Sequence, residues 1–192
     1  MDTGTDNRAR ILACALDLFA GRGYDAVGVQ EIVEAAGVTK PSLYHYFASK
    51  RGLLDTLLAE QYADLTEPLA RATEYQRDLV TSLRQVMQVY FNFARQHPVF
   101  YRMQLGMTFA PPDSEPNLAV RKFQAEQFHL VEVLFACAAE QHGNLTGRQY
   151  AYAATLIGLI NTHIGLYLNG YSELNDALVY RAVQQFMYGI FS

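Results

Sequence analysis

The chain has 192 residues, 51% of them hydrophobic and 18% charged, with a formal net charge of −4 and no low-complexity tract. That composition excludes a disordered or fibrous chain and allows one sizeable core, or a small domain sharing a helix with a larger one. Two cysteines far apart, Cys14 and Cys137, argue against a disulfide framework and read as small buried hydrophobes, and the acidic balance gives no general reason to expect a nucleic-acid partner.

The start, MDTGTDN, is polar and acidic without an apolar segment, so no secretory signal is expected. Asp6 or Asn7 caps a first predicted helix that runs to about Ala20, with Ile11, Leu12, Ala15, Leu16 and Phe19 on its buried side. Gly21 and Gly23 end it. A second helix starts near Gly28 and carries Val29, Ile32, Val33 and Ala36 at helical spacing. Gly37 supplies the turn that follows, and Thr39 is a good cap for a third helix beginning at about Lys40, with Pro41 in its first turn. Leu43 and Phe47 are four apart and share one face, whereas Pro41, Ser42, Tyr44 and His45 point mostly the other way. One side packs and the other is offered to a partner. Helix, glycine turn and second helix make the supersecondary unit whose second helix enters the major groove of DNA.

Charge in this region is a matter of distribution. Residues 1–55 hold six basic and seven acidic side chains, yet between Ala35 and Leu54 there are three basic residues and no acidic one. Phosphates would therefore meet a local positive strip, with Arg8 and Arg10 opening the first helix either as further phosphate contacts or as solvated side chains.

The run GYDAVGVQEIVEAAGVTKPSLYHYFASKRGLL, residues 23–54, resembles the DNA-binding segment of the TetR family of bacterial transcription regulators, and its AGV-x-K-x-x-LYHYF-x-SK core is the specific part. Beyond this segment the chain is similar to the family only in length and helical character. The resemblance implies an all-α fold: an N-terminal three-helix helix-turn-helix domain, residues 1–48, joined by a long helix to a larger ligand-binding and dimerisation domain, residues 49–192. It implies a homodimeric one-component regulator, a repressor more than an activator, which binds double-stranded DNA at a palindromic operator and responds to a small molecule. Lys40, Ser42, Tyr44 and His45 are then the candidates for groove contacts, with the capping Thr39 beside them. Tyr46 and Lys50 correspond to backbone anchors. Family members usually have Ser or Thr at or near Gly28; here the hydroxyl is missing, and the Gly28 N–H is what is left to face a phosphate.

Ser49 caps a fourth helix, which runs from Lys50 to about Glu67–Pro68 with Leu53, Leu54, Leu57, Leu58, Tyr62 and Leu65 inward, some 25 Å at about 1.5 Å per residue. A fifth is expected over about Gln76 to Gln96, stopped at His97–Pro98, and a short sixth over Val99–Leu105. Residues 106–117, with three prolines, read as a loop long enough to be an opening or lid. A seventh helix follows from Leu118 to Gln141. In the segments that the resemblance places around an effector pocket, Tyr90, Phe93, Phe100, Tyr101, Met103, Met107, Phe109 and Phe123 supply an aromatic and sulfur-rich wall, and Asn161 and His163 supply polar points, which suits an apolar or aromatic small molecule. For each of them plain core packing is the competing reading.

The last two helices are expected over about Thr146 to Asn169 and about Asn175 to Ile190. In the first, Leu156, Ile160, His163 and Tyr167 share one face and Gly158, Thr162, Gly165 and Asn169 form a small-residue ridge on another. A helix apolar on more than one side needs a second partner, so two-fold pairing of these helices into a four-helix bundle is expected, in agreement with the family's dimer. Asn161, Thr162 and His163 interrupt the apolar run Ala151 to Leu168, which argues for a buried helix over a membrane span and for a cytoplasmic protein. No GxSxG, P-loop, HExxH or Gly-rich dinucleotide turn occurs and the five histidines lack metal-ligand spacing, so neither an enzyme, a metal nor a cofactor is expected. Two rival readings stay open: a helical protein-interaction module that no longer reads DNA, and an effector-free dimer whose aromatic interior is simply packed.

Overall fold

The computed structural model describes residues 3–189, and side chains from Asp6 on. Among these residues it is all-α: α1 (Thr3–Arg22), α2 (Val29–Ala36), α3 (Lys40–Phe47), α4 (Lys50–Ala72), α5 (Leu79–Gln96), α6 (Pro98–Thr108), α7 (Glu115–Ala139), α8 (Gln149–Leu168) and α9 (Asp176–Tyr188), with a 3₁₀ turn, Gly143–Leu145, between α7 and α8. They form two compact units, one from the residues up to Tyr62 with Val99–Lys122, the other from Ala63–Pro98 with the residues from Phe123 onward.

In the first unit the apolar stripes read from the sequence close on one another. Ile11, Ala15 and Phe19 of α1, Ile32, Val33 and Ala36 of α2, and Leu43 and Phe47 of α3 are all buried, as are Leu53, Leu54, Leu57 and Leu58 of α4. This unit takes in more than residues 1–48. Tyr62 near its end stacks edge-on against Phe100 of α6 at 5.1 Å, and its hydroxyl donates to Gln104 Oε1 at 3.1 Å. In the second unit α5 packs against α8 and α9. The Tyr90 hydroxyl donates to Gln127 Oε1 at 3.1 Å, Arg95 donates to the Leu174 carbonyl at 2.9 Å, and Phe135 lies 6.1 Å from Phe186.

Several expected boundaries are corrected. α1 begins at Thr3, so Asp6 and Asn7 lie inside the helix and do not cap it. α4 passes through Pro68 to Ala72; proline removes one N–H and crowds the preceding turn, but Leu65, Leu69 and Ala72 are buried and hold the helix on course. α5 starts three residues late. Arg77 has a positive φ of 64°, and Asp78 becomes the cap, its carboxylate accepting from the Thr81 N–H at 3.0 Å and the Thr81 hydroxyl at 2.7 Å; those bonds hold the Asp78 carboxyl below its ordinary pKa.

The proline-rich stretch is helical at both ends. α6 continues to Thr108 and α7 begins at Glu115, because Pro116 falls in the first turn, where a missing N–H has no partner to lose. Asn117 Nδ2 reaches back to the Met107 and Thr108 carbonyls at 3.4 and 3.2 Å and closes the end of α6. The expected lid shrinks to residues 109–114. Cys14 is only partly covered and Cys137 is exposed, not buried. α8 is long and apolar enough to cross a membrane, and 22% of its apolar window is buried; only Ala153, Leu156, Ile160 and Ile164 are fully covered. The expected end of α9 at Ile190 lies outside the described residues.

Candidate nucleic-acid interface

The turn between α2 and α3 is fixed twice over. Gly37 sits at φ 61°, a left-handed conformation that glycine adopts without steric cost. Its N–H donates to the Glu34 carbonyl at 3.1 Å while the Val38 N–H donates to Val33 at 2.9 Å. From α1, the Arg10 guanidinium donates to the Ala36 carbonyl. A Cβ on residue 37 would stand 2.8 Å from Arg10 Nη2. Arg10 thus ties the first helix to the turn, while Arg8 pairs with Glu60 and lies 5.7 Å over the Phe47 ring.

α3 starts where the Thr39 hydroxyl accepts the Ser42 N–H, at 3.4 Å. Leu43 and Phe47 anchor it from beneath at 0% and 4% exposure. On the outer side Lys40, Pro41, Tyr44 and His45 are exposed and Ser42 and Tyr46 partly so, with Tyr44 at 46%. The His45 and Tyr46 rings meet edge-on at 5.2 Å. This side carries a lysine, hydroxyls, an imidazole and aromatic faces, and no carboxylate within α3 opposes it. Such groups donate to phosphate and base-edge oxygens and cover thymine methyls.

α3 ends at Ala48, held at φ 60°, and α4 starts at once, the Gly52 N–H capped by Ser49 Oγ at 2.9 Å. Lys50 opens α4 and is half-buried. Its ammonium lies 4.0 Å from the centre of the Tyr24 ring and 5.9 Å from that of Phe19. Burial lowers its pKa, and Asp25, Glu115 and Glu31 counter that effect. The Tyr24 hydroxyl in turn donates to Glu115 Oε2 at 2.8 Å, and burial, with this bond second, pushes its pKa up. Arg51 donates to the Glu115 carbonyl at 3.3 Å and pairs with Asp55 at 3.0 Å. The start of α7 therefore shares a polar cluster with the start of α4. Nothing in the sequence flags this: Tyr24 and Glu115 are 91 residues apart.

At the start of α2 the expected free N–H of Gly28 is in use. It donates to Glu31 Oε1 at 3.0 Å, and the other oxygen of Glu31 pairs with Arg22. Both interactions hold the Glu31 carboxyl below its ordinary pKa. A carboxylate of the chain itself thus occupies the helix N-terminus that a phosphate would otherwise meet.

The ten residues expected around an effector divide between the two units. Phe100, Tyr101, Met103 and Met107 are buried in the first unit, while Phe109, at 84% exposure, faces solvent. Tyr90 and Phe93 are buried in the second, where Phe123, Asn161 and His163 are partly covered. His163 Nε2 is buried without a hydrogen-bond partner, its ring stands edge-on to Phe91 at 6.4 Å, and burial lowers its pKa. Among the described residues no group of three or more His, Cys, Asp or Glu is placed to hold a metal ion.

Residues 11–57 match the family model described as bacterial regulatory proteins, tetR family. Over 184 residues, 96% of this chain and 82% of the relative, the chain is 25% identical to the HTH-type transcriptional activator FasR of Mycolicibacterium smegmatis. It is 40% identical to the HTH-type transcriptional repressor KstR2 of Mycobacterium tuberculosis over 75 residues, 35% of this chain and 37% of that one. Among solved structures, the transcriptional regulator FadR of Bacillus subtilis in complex with stearoyl-CoA superposes with a TM-score of 0.77 at 18% identity, covering 95% of this chain and 98% of that one.

Proposed function

The chain is a member of the tetR family of bacterial regulatory proteins, and on that premise we propose that it is a homodimeric one-component transcriptional regulator, a repressor released from a palindromic operator by an apolar small molecule. Residues 1–48 read the DNA and residues 49–192 bind the effector and the second copy. The observation that carries this reading is the division of α3 into a buried side, Leu43 and Phe47, and an exposed side bearing Lys40, Tyr44 and His45. Two copies of α3 would enter successive major grooves about 34–36 Å apart. Tyr46 and Lys50 would hold backbone phosphates, Lys50 by leaving the Tyr24 ring.

The second copy would cover the outer side of α8 and the adjoining side of α9, where Leu166 and Tyr180 are exposed. That pairing accounts for an apolar helix with one covered face and supports a cytoplasmic protein over a membrane-bound one. The bound stearoyl-CoA of the Bacillus subtilis FadR supports an acyl effector, a long apolar chain with a polar head. Tyr90, Phe93, Phe123, Asn161 and His163 are its candidate contacts in the second unit. The effector acts only through unequal affinity for the DNA-binding and released states, a coupling of about 1–3 kcal/mol.

The test is gel retardation of the DNA flanking the chain's own gene. Wild-type protein retards it, and Tyr44→Ala combined with Lys50→Ala abolishes retardation while the helical circular dichroism and dimer mass persist. Unchanged retardation refutes the assignment. One observation favours the rival protein-interaction module: Glu31 occupies the N-terminus of α2 in a segment that is net acidic. A steep fall of DNA affinity with salt excludes that rival, since phosphate contacts release counterions.

A further inference from the structure

Lys50, assigned above to a backbone phosphate, is already engaged within its own unit. As the first residue of α4 it stands at the positive end of a helix dipole, which disfavours an ammonium there. A platform of side chains offsets this. The ammonium lies 4.0 Å from the centre of the Tyr24 ring, well inside the roughly 6 Å reach of a cation–π contact, and 5.9 Å from that of Phe19. Asp25, Glu115 and Glu31 add three carboxylates that favour the charged amine. A phosphate would have to draw the ammonium away from all of these.

The platform is itself fixed. Tyr24 is 4% exposed and tilts against Phe19 at 5.1 Å, and a buried phenol needs a partner for its hydroxyl. Glu115 Oε2 accepts from it at 2.8 Å. Arg51, next to Lys50, donates to the Glu115 carbonyl at 3.3 Å and so ties the start of α7 to the start of α4. All of these residues belong to the first compact unit. Glu115 thus acts on Lys50 in two ways, through its charge and by orienting the ring beneath the ammonium. Neither requires Glu115 to touch DNA.

We propose that Glu115 and Tyr24 are positioning residues for the Lys50 phosphate anchor: Glu115 holds the ring, the ring holds the ammonium, and DNA binding has to part them. The inference rests on the DNA-reading assignment and adds a restraint to it. Weakening that restraint tightens DNA binding without adding a contact.

The experiment has one readout without DNA and one with it. In full-length protein isotope-labelled at the lysine ε-carbon, Lys40, Lys50 and Lys122 each give a magnetic resonance signal, and that of Lys50 is identified by its absence from Lys50→Ala. The Tyr24 ring current is expected to place the Lys50 signal upfield of that of the exposed Lys40. Tyr24→Leu removes the shift, Glu115→Gln reduces it, and the DNA flanking the chain's own gene removes it from wild type. Affinity for the same DNA, read by fluorescence anisotropy, rises in both variants by about threefold, as one partly exposed cation–π contact allows. Tyr24→Leu changes no charge, so bulk electrostatics cannot account for its gain. The slope of log affinity against log salt is the same in both variants as in wild type, because no phosphate contact is added or lost, whereas Lys50→Ala lowers it by about 0.9. Should Tyr24→Leu fold poorly by circular dichroism, Glu115→Gln is compared in wild-type and Lys50→Ala chains at low salt, and its gain vanishes in the second. An unshifted Lys50 signal, a signal still shifted in the DNA complex, unchanged or weaker DNA binding by Glu115→Gln, or an equal gain without Lys50 overturns the proposal. A shifted signal in a wild type that retards no DNA defeats the DNA-reading assignment and the positioning role with it; retardation with an unshifted signal defeats only the positioning role.

Discussion

α3 and α8 each bury one side and leave the other uncovered, and the two uncovered sides differ in chemistry. α3 has eight residues and hides Leu43 and Phe47; what it presents is a lysine, hydroxyls, an imidazole and an aromatic face. α8 has twenty residues and hides Ala153, Leu156, Ile160 and Ile164; what it presents is Tyr150 and Leu166 with Ala151, Ala154, Thr155, Gly158 and Thr162. An exposed polar side costs little in water, so α3 is stable as it stands and free to meet phosphate. An exposed apolar side of α8 gains from being covered. The partner of each helix follows from what its own unit leaves undone.

The largest effect expected from this contrast is on α8. Leu166→Glu places a charge on the side proposed to pair, and an unpaired buried charge costs several kcal/mol. A shift from dimer to monomer in sedimentation equilibrium, at least about a hundredfold in dissociation constant, is the outcome; an unchanged mass would break the comparison, because α8 would then need no cover. On α3 the two sides separate in one measurement. Leu43→Ala is expected to destabilise the fold by about 2–5 kcal/mol, the range for emptying a fully buried leucine site, whereas Tyr44→Ala changes denaturant stability by less than about 0.5 kcal/mol. Equal losses would mean that Tyr44 is structural.

Smaller effects refine the description of the first unit. Tyr24→Phe keeps the ring beneath Lys50 but removes the donor to Glu115, a loss of about 1 kcal/mol. Glu115→Gln combined with it in a double-mutant cycle should show coupling; strict additivity would separate the two residues. In the second unit, burial lowers the His163 pKa from its ordinary value of about 6.5. Below that value the unfolded chain binds a proton that the folded one resists, so stability falls as pH drops through 6.5 toward the folded-state value. His163→Gln removes that part of the acid sensitivity, and thermal unfolding at pH 5.5 and 7.5 reads the difference.

The short-range features were legible. Thr39 and Ser49 cap the helices they precede, Gly37 takes the left-handed turn, and Leu43 and Phe47 turn inward, because capping and helical periodicity act over three or four residues. Prolines were read less well. Pro68 lies inside α4 and Pro116 inside α7, since a proline's effect depends on what the neighbouring turns bury and on whether its N–H had a partner to lose. The arginines of α1 were undecided between phosphate and water, and both turn out to have partners within the chain, Glu60 for Arg8 and the Ala36 carbonyl for Arg10.

By itself the sequence was enough to place a short helix with one buried and one polar side behind a glycine turn, for that rests on contacts between near neighbours. Only the folded chain decides that the Lys50 ammonium rests on Tyr24, that Tyr24 answers to Glu115, and that Glu31 takes the Gly28 N–H ahead of any phosphate. Where a flexible side chain has several polar groups within reach, tertiary packing selects the partner, and for Tyr24 that partner lies 91 residues along the chain.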